Sequence, residues 1–315
     1  MPERIAPPWA LILAGGDGVR LRSLTSQIAG DNRPKQFCAL LDGETLLDRT
    51  FRRADLFARF DHQAVAVTAA HAPYYRHLVR DVPAGRLIVQ PENRGTAPAI
   101  LYSLLHVTQL AGDVPLAILP SDHYVSDDLA FMGYVQAAID VVRQRPDVVV
   151  LLGIEPTRPE VEYGWIGAAE APLPLDGEPV FPVRRFWEKP HISLAEVLYQ
   201  GGCLWNSFVM VGWTTAFLHL IGLANPSLIV SFAALSPVLN TPREPRVVER
   251  IYRRLPPSTD FSESVVAPTA TRLGVMRVKG VGWSDWGNPQ RVLASLVHAG
   301  LRPHWIDRVR LAEAG

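Results

Sequence analysis

WALILAGGDGVRL, residues 9–21, joins an apolar run directly to a glycine-rich turn. Such a run is typical of a buried strand, and the missing side chains of the turn let backbone N–H groups approach an anion. The turn is neither a Walker A sequence nor a G-x-G-x-x-G fingerprint. It predicts a first strand that ends in a phosphate cradle, although a tight β–α turn without a ligand fits the same glycines equally well.

Similar apolar runs of strand length recur along the chain and alternate with helical patterns. In the first half the further runs lie at 64–68, 87–89, 116–119 and 148–152, and helical spacing occurs at 46–57, 97–110 and 131–142. From about Tyr163 the pattern is less regular, with strand-like runs at 165–168, 180–186 and 203–211 and helices at 214–223 and 246–254. The alternation predicts an α/β fold with a doubly wound, mostly parallel sheet and an elaborated second half.

The composition limits the class of protein. With 315 residues and 48% hydrophobic content, the chain can bury a large core. Its 31 basic and 31 acidic residues cancel, so no overall field draws it to nucleic acid or to an anionic membrane. Cys38 and Cys203 lack the spacing of a metal or redox pair. The apolar run at 9–14 is too short for a signal peptide, and no stretch approaches the ~20 apolar residues of a membrane span. We therefore expect a soluble, cytoplasmic protein.

Lysine is rare in this sequence. The lysines are Lys35, Lys189 and Lys279, and the other basic residues counted with them are arginines. A lysine supplies a compact point charge that a planar guanidinium does not, which favours a specific role for Lys35. Lys35 follows the glycine-rich turn at a distance that lets it converge with Arg20 on the same phosphates, as phosphate chemistry requires. The alternative is that both are solvated surface charges.

Two aspartates occupy turns where metal ligands are expected. Asp122 ends the fourth predicted strand in Pro120-Ser121-Asp122-His123, at the sheet edge where α/β folds bind ligands. Asp285 lies in the aromatic, glycine-rich turn Gly282-Trp283-Ser284-Asp285-Trp286-Gly287. Mg²⁺ commonly takes one or two carboxylates together with phosphate oxygens, so the pair predicts a magnesium site. Taken singly, each aspartate fits a helix cap or a turn better.

Two more segments contain groups suited to a sugar. Glu188 and Lys189 follow a predicted strand, and Asn206 begins another. A carboxylate and an amide can bond to hydroxyl groups, while Lys189 can hold a phosphate. The alternative is a surface pair of Glu188 and Lys189, which would be worth little.

Seven ordered segments together resemble the sugar-1-phosphate nucleotidyltransferases, and within them most closely the mannose-1-phosphate guanylyltransferases. They are Leu13-Ala14-Gly15-Gly16-Asp17-Gly18-Val19-Arg20-Leu21, Pro34-Lys35-Gln36-Phe37, Glu92-Asn93-Arg94-Gly95-Thr96-Ala97-Pro98-Ala99, Pro120-Ser121-Asp122-His123, Glu188-Lys189-Pro190, Trp205-Asn206-Ser207 and Gly282-Trp283-Ser284-Asp285. The resemblance implies a Rossmann-like nucleotidyltransferase fold in one domain, 1–315. It divides that domain into a nucleotide-binding half, 1–155, a sugar-phosphate-binding half, 156–290, and a C-terminal helical tail, 291–315.

The resemblance also implies the reaction and its residues. GTP and mannose 1-phosphate would give GDP-mannose and pyrophosphate with Mg²⁺ as cofactor, without nucleic-acid or membrane partners, and a homodimer is a candidate assembly. The implied catalytic residues are Arg20, Lys35, Asp122, Lys189 and Asp285, of which Asp122 and Asp285 would bind the metal. The implied nucleotide-binding residues are Ala14, Gly15, Gly16, Gly18, Asn93, Gly95, Thr96 and Ala97. The implied sugar-binding residues are Gly164, Glu188, Lys189 and Asn206.

The sequence departs from the family pattern at a few positions. Val19 stands where the family usually has Thr, Arg22-Ser23 where it has Trp-Pro or a similar pair, and Gly95 where it has Asn. Gly95 falls in the segment that would read the base, so base choice stays open. Two alternatives also stay open: the same reaction with another base or sugar, such as glucose 1-phosphate, and a catalytically silent regulator that binds a nucleotide sugar.

Overall fold

The computed structural model describes residues 6–41 and 43–309. Its strands are β1 Trp9–Leu13, β2 Gln63–Thr68, β3 Leu87–Gln90, β4 Pro115–Pro120, β5 Tyr124–Val125, β6 Val149–Ile154, β7 Trp165–Ala168, β8 Val180–Trp187, β9 Leu204–Trp213, β10 Leu273–Val278 and β11 Trp283–Ser284. Its α-helices are α1 Arg22–Ala29, α2 Leu46–Asp55, α3 Ala72–Tyr75, α4 Thr96–Ala111, α5 Asp128–Gln144, α6 Ile192–Gln200, α7 Thr214–Ala224, α8 Pro226–Phe232, α9 Glu244–Tyr252 and α10 Pro289–His298.

Nine strands form one mixed sheet in the order β3-β2-β1-β4-β9-β6-β10-β8-β7, and β7 also pairs with β9. The pairs from β3 to β4 and the pair β6–β10 are parallel, whereas β9 and β8 are antiparallel to their neighbours. Most strands therefore point in one direction, which confirms the predicted α/β fold with a mostly parallel sheet. The antiparallel β9 lies near the middle of the sheet, where it joins the two halves.

The central strands are apolar because both faces of the sheet are covered. Every residue of β2, β4 and β6 is buried. Side chains alternate between the faces, so Leu11 and Ile118 join one core cluster while Ile12 and Leu119 join the other. Strands buried on both faces are continuous apolar runs, which explains why the sequence located them.

A third, smaller cluster packs the C-terminal segment against the region after the glycine-rich turn. Leu21 and Leu24 meet Trp286, Val292 and Trp305 in this cluster. Helix α10 begins with Pro289 in its first turn after the cap Asn288, whose side chain accepts the Arg291 N–H at 3.0 Å. The packing brings the turn before α10 next to the glycine-rich turn.

The division into halves at residues 155 and 290 stays a prediction. Of the predicted tail at 291–315, α10 covers the residues up to His298, and residues 310–315 lie outside the described part. The predicted segments also omitted β10, which lies between β6 and β8. Among the described helices, none alone is long and apolar enough to cross a membrane. One pair of helices has the length and composition of a membrane span when taken together, but it is bent by 116°; it consists of Thr214–Ala224 and Pro226–Leu235.

Candidate active site

A cleft of about 400 Å³ opens at the carboxyl edge of the parallel strands. Leu13 at the end of β1, Gln90 at the end of β3 and Pro120 at the end of β4 all line it. The residues that follow β4, including Asp122, also face it. This edge is where open α/β sheets bind ligands, and the volume is in the range of ligand pockets, roughly 300–1,000 Å³.

Most of the predicted site residues line this one cleft. Those predicted for the nucleotide and its phosphates are Gly15, Gly16, Arg20, Asn93, Gly95 and Thr96. Those predicted for the sugar, its phosphate and the metal are Asp122, Gly164, Glu188, Lys189, Asn206 and Asp285. Their roles stay predictions, but residues far apart in the sequence meet at one place.

Four predicted residues lie outside the lining of the cleft. Gly18 and Lys35 line a smaller adjoining pocket of about 300 Å³, which Arg20 and Asp122 also border. Ala14 is buried, and its N–H donates to the Ala66 carbonyl at 2.7 Å. The Ala97 N–H is likewise used by the protein, since it donates to the Thr259 carbonyl at 3.0 Å.

The glycine-rich turn presents free amides. The Gly15 carbonyl accepts a bond from Thr68 Oγ1 at 2.9 Å, and the Gly16 carbonyl accepts one from Gln36 Nε2 at 2.7 Å. Within residues 6–41 and 43–309, the amides of Gly15 and Gly16 donate no hydrogen bond. A Cβ on Gly15 would lie 2.8 Å from Gln90 Nε2, so a side chain there has no room. Free amides next to Arg20 suit an anion such as a phosphate.

Lys35 connects the two predicted metal ligands. Its Nζ lies 3.3 Å from Asp122 Oδ2, donates to the Trp286 carbonyl at 3.2 Å, and also donates to the Asp285 carbonyl. Burial is the largest single effect on Asp122 and would raise its pKa, but the charge and hydrogen bond of Lys35 together with His123 outweigh it, so the pKa is lowered. For Asp285, burial is again the largest single effect, and Lys35, Arg291, His123 and the Gly287 N–H together outweigh it, so the pKa is also lowered. Both aspartates are therefore carboxylates near neutral pH.

These two carboxylates fit the chemistry of a magnesium site. The part of the chain that the structure describes contains no group of three or more His, Cys, Asp and Glu side chains suited to a metal. Mg²⁺ does not require one, because it binds one or two carboxylates together with substrate phosphates and water. Asp122 and Asp285 both line the cleft that the free glycine amides also line, and the metal site stays a prediction.

The predicted sugar residues lie together. A Cβ on Gly164 would be 2.6 Å from Phe186 Cζ and 3.0 Å from Glu188 Oε2. Glycine at this position therefore lets the side chains of Phe186 and Glu188 approach the backbone. Lys189 has φ 42° and pairs with Glu188 at 3.1 Å. Burial raises the pKa of Glu188 above its ordinary value, with Lys189 opposing the shift. Asn206 Oδ1 accepts the N–H of Phe208 at 3.1 Å, which leaves its Nδ2 as the donor for a ligand.

The sequence reasoning missed the segment 258–262, in which Ser258, Asp260 and Ser262 line the cleft. The segment packs on Gly95, which has φ 90°, and a Cβ there would lie 2.4 Å from the Thr259 carbonyl oxygen. Glycine at this position therefore makes room for that backbone. The local signal was Asp260, whose Oδ1 accepts the Glu263 N–H at 3.1 Å in the manner of a cap.

The network behind Asp285 was missed as well. Arg291 of α10 and Tyr163 both bond to Asp285 Oδ1, at 2.9 and 3.1 Å. Glu162 bridges to Arg20, with Oε1 3.2 Å from Nη1. Nothing in the sequence near these residues indicates the contacts, because they join segments distant in the chain.

Comparison with known proteins identifies the family. Residues 9–218, most of the chain, match the family model described as nucleotidyl transferase. The chain belongs to the nucleotidyl transferase family. This family member is similar to the xanthan biosynthesis protein XanB of Xanthomonas campestris pv. campestris (strain B100), with 32% identity in an alignment that covers 69% of this chain and 44% of XanB.

Two further relatives of this nucleotidyl transferase carry mannose 1-phosphate in their names. The mannose-1-phosphate guanylyltransferase of Escherichia coli is 28% identical over 90% of this chain and 60% of its own length. A structure from Thermus thermophilus, described as a mannose-1-phosphate geranyltransferase, superimposes with a TM-score of 0.77 at 28% identity, over 91% of this chain and 79% of that one. The chain spans about half the length of the relatives whose sequences it matches.

Proposed function

We propose that this protein transfers a nucleotidyl group from a nucleoside triphosphate to a hexose 1-phosphate and releases pyrophosphate. One observation carries the proposal: a single cleft is lined by the glycine-rich turn with Arg20, by Glu188 with Lys189, and by the carboxylates of Asp122 and Asp285. Such a cleft has groups for two phosphorylated substrates at once. Relatives named as guanylyltransferases support the same reaction class.

In the proposed reaction, a phosphate oxygen of the sugar phosphate attacks the α-phosphorus of the triphosphate. The new P–O bond forms as the bond from the α-phosphorus to the bridging oxygen breaks, and its electron pair leaves on pyrophosphate. The Gly15 and Gly16 amides and Arg20 would hold the triphosphate, while Lys189 would hold the sugar phosphate. Positioning and charge neutralisation supply the rate, so no covalent enzyme intermediate is required.

Asp122 and Asp285 would hold Mg²⁺ in this scheme. The ion, when bound, neutralises charge on the phosphates that react. Lys35 contributes a fixed positive charge, since its Nζ contacts Asp122 and the backbone carbonyls of Asp285 and Trp286. Glu188 and the Nδ2 group of Asn206 would accept from and donate to sugar hydroxyls, and thereby orient the attacking phosphate.

The specific substrates that we propose are GTP and mannose 1-phosphate, which would give GDP-mannose. Two relatives named as mannose-1-phosphate guanylyltransferases support this choice, at 28% and 29% identity. The same cleft chemistry also suits another base or glucose 1-phosphate, because such substrates differ by only a few contacts. A nucleotide-sugar-binding regulator without activity would keep the cleft and lose turnover.

A pyrophosphate-release screen tests the proposal. GTP, ATP, CTP, UTP and dTTP are each paired with mannose 1-phosphate, glucose 1-phosphate and galactose 1-phosphate in the presence of Mg²⁺. The expected result is the highest kcat/KM for GTP with mannose 1-phosphate. A higher kcat/KM for another pair would make that pair the substrates in place of GTP and mannose 1-phosphate. Tight binding of a nucleotide sugar without turnover of any pair would favour the catalytically silent regulator.

A further inference from the structure

A buried arginine that the proposed reaction does not use lies behind Asp285. Arg291 in the first turn of α10 is 8% exposed, and its guanidinium lies 4.6 Å from the centroid of the Tyr163 ring. Its Nη1 contacts Asp285 Oδ1 at 2.9 Å. Its Nη2 contacts Glu160 Oε1 at 2.9 Å and Glu162 Oε2 at 2.8 Å. One guanidinium therefore joins three carboxylates, one of which lines the cleft as a predicted metal ligand.

The two oxygens of Asp285 have different surroundings. Oδ1 accepts from Arg291 Nη1, from the Tyr163 hydroxyl at 3.1 Å and from the Gly287 N–H at 2.8 Å. In the described residues, Oδ2 has one charged contact, Arg20 Nη2 at 3.6 Å, and that side chain is 54% exposed. Three donors to Oδ1 fix the orientation of the carboxylate. Oδ2 contacts only the half-exposed Arg20 side chain among the described charged groups, and bound phosphates would attract that cation away from it.

The surrounding turn leaves little freedom for another arrangement. A Cβ on Gly287 would lie 2.5 Å from Asp285 Oδ2 and 3.0 Å from Arg291 Nη1. Trp286, between them, is fully buried with φ 45° and stacks on Tyr124 at 4.9 Å. Asn288 caps the N-terminus of α10 directly after this turn, so the position of Arg291 relative to the turn is fixed by the start of the helix.

We infer that Arg291 is a positioning residue that locks the Asp285 carboxylate and presents its Oδ2 to a divalent cation. The inference rests on the proposed function. Buried ion pairs add little net stability compared with apolar packing, so a guanidinium shared by three carboxylates is better explained by orientation than by stability. Outer partners of metal ligands act in this way, and their removal typically weakens metal affinity by about 10- to 100-fold.

Mn²⁺ serves as the probe in the test, because its free form is read directly by electron paramagnetic resonance. It is titrated into the protein with a saturating, non-hydrolysable analogue of the best triphosphate. Arg291→Lys keeps the charge but loses the planar fork that reaches three carboxylates. We expect its Mn²⁺ dissociation constant to rise about tenfold, with KM for the sugar 1-phosphate changed less than about twofold.

Arg158→Lys is the matched control. Arg158 pairs with Glu160 Oε2 at 3.1 Å, as Arg291 pairs with Oε1, but it is half-exposed and does not contact Asp285. Its Mn²⁺ affinity should equal that of the wild type. If Arg291→Lys does not fold, Tyr163→Phe replaces it, because that change removes only the hydroxyl bonded to Asp285 Oδ1. The same direction of change is expected.

Wild-type Mn²⁺ affinity in the folded variant would overturn the inference, as would a wild-type protein that binds no Mn²⁺. Equal weakening in the Arg158→Lys control would overturn it too, because the effect would then come from the shared partner Glu160 and not from the contact with Asp285. A wild-type protein that binds Mn²⁺ but transfers no nucleotidyl group would contradict the proposed function and leave the role of Arg291 intact. The two failures are thus distinguishable.

Discussion

Lys35 and Asp122 form an ion pair, with 3.3 Å between Nζ and Oδ2, in which the lysine side chain is 8% exposed. The same Nζ reaches the backbone carbonyls of Asp285 and Trp286. The loop after the glycine-rich turn, the end of β4 and the turn before α10 therefore meet at one ammonium group. This ammonium group therefore joins the Asp122 carboxylate to the backbone of the turn that holds Asp285.

Replacing Lys35 by Ala should lower kcat for pyrophosphate release by about 100-fold or more, because a preorganised positive charge beside the phosphates is lost. Arg should not restore activity, since a planar guanidinium cannot copy the three contacts of Nζ. Lys279→Ala is the control, because that lysine side chain is 63% exposed and its Nζ pairs with Glu155 Oε1 at 3.3 Å. Near-normal turnover in a folded Lys35→Ala protein would remove Lys35 from the mechanism.

Asp122→Asn and Asp285→Asn should each reduce kcat by about 100-fold or more and raise the Mg²⁺ concentration needed for half-maximal activity, because each change removes a ligand charge with little change of shape. Steady-state kinetics across a Mg²⁺ series measures both effects. Asp140→Asn, at an exposed residue of α5, should behave as the wild type. If both site variants keep the wild-type Mg²⁺ dependence, these aspartates do not bind the metal.

The fall of kcat/KM for the sugar phosphate at acidic pH, the acid limb of the pH profile, should depend on Glu188. Burial raises the pKa of Glu188 above its ordinary value; Lys189 opposes the shift, and Asp260 and Glu263 add to it. A carboxylate accepts hydrogen bonds from sugar hydroxyls, so kcat/KM for the sugar phosphate should fall as pH drops through this raised pKa. Glu188→Gln cannot be protonated in this range and should lose that limb relative to the wild type. Identical limbs in both proteins would show that Glu188 does not hold the sugar as a carboxylate.

Gly95→Ala should destabilise the protein by about 2 kcal/mol more than Gly112→Ala, measured by urea unfolding. Both glycines have positive φ, 90° and 74°, but only the Cβ at Gly95 would meet the Thr259 backbone, and the space around Gly112 is open. Displacement of the 258–262 segment should also raise KM for the triphosphate. Equal stability of the two variants would mean that Thr259 moves aside without cost.

The sequence located those features that depend on local patterns. Buried strands such as β2 and β4 contain apolar runs, and Asp122 is recognisable because it comes two residues after the end of β4. Segments such as Glu188-Lys189-Pro190 are recognisable because their residue types suit a known chemistry. Periodicity gives neither strand order nor direction, so the central antiparallel β9 and the insertion of β10 beside β6 could not be predicted.

The rest of the candidate site depends on contacts between distant segments. Arg291 looks like any helical arginine until α10 packs beside the turn that holds Asp285. Glu162 likewise becomes recognisable as part of the site only through its contact with Arg20. The place of Gly95 under Thr259 requires the fold of the 258–262 segment, which no local pattern specifies. Such partners become visible only in three dimensions.

Phosphorus NMR of a mixture of GTP, mannose 1-phosphate, Mg²⁺ and the protein tests nucleotidyl transfer most directly, because it observes both products at once. We predict that GDP-mannose and pyrophosphate appear in equal amounts as the substrates disappear, and that with Lys35→Ala both appear about 100-fold more slowly or not at all. Unchanged substrate spectra with the folded wild-type protein, for this pair and for every other pair of the screen, would contradict the proposed function.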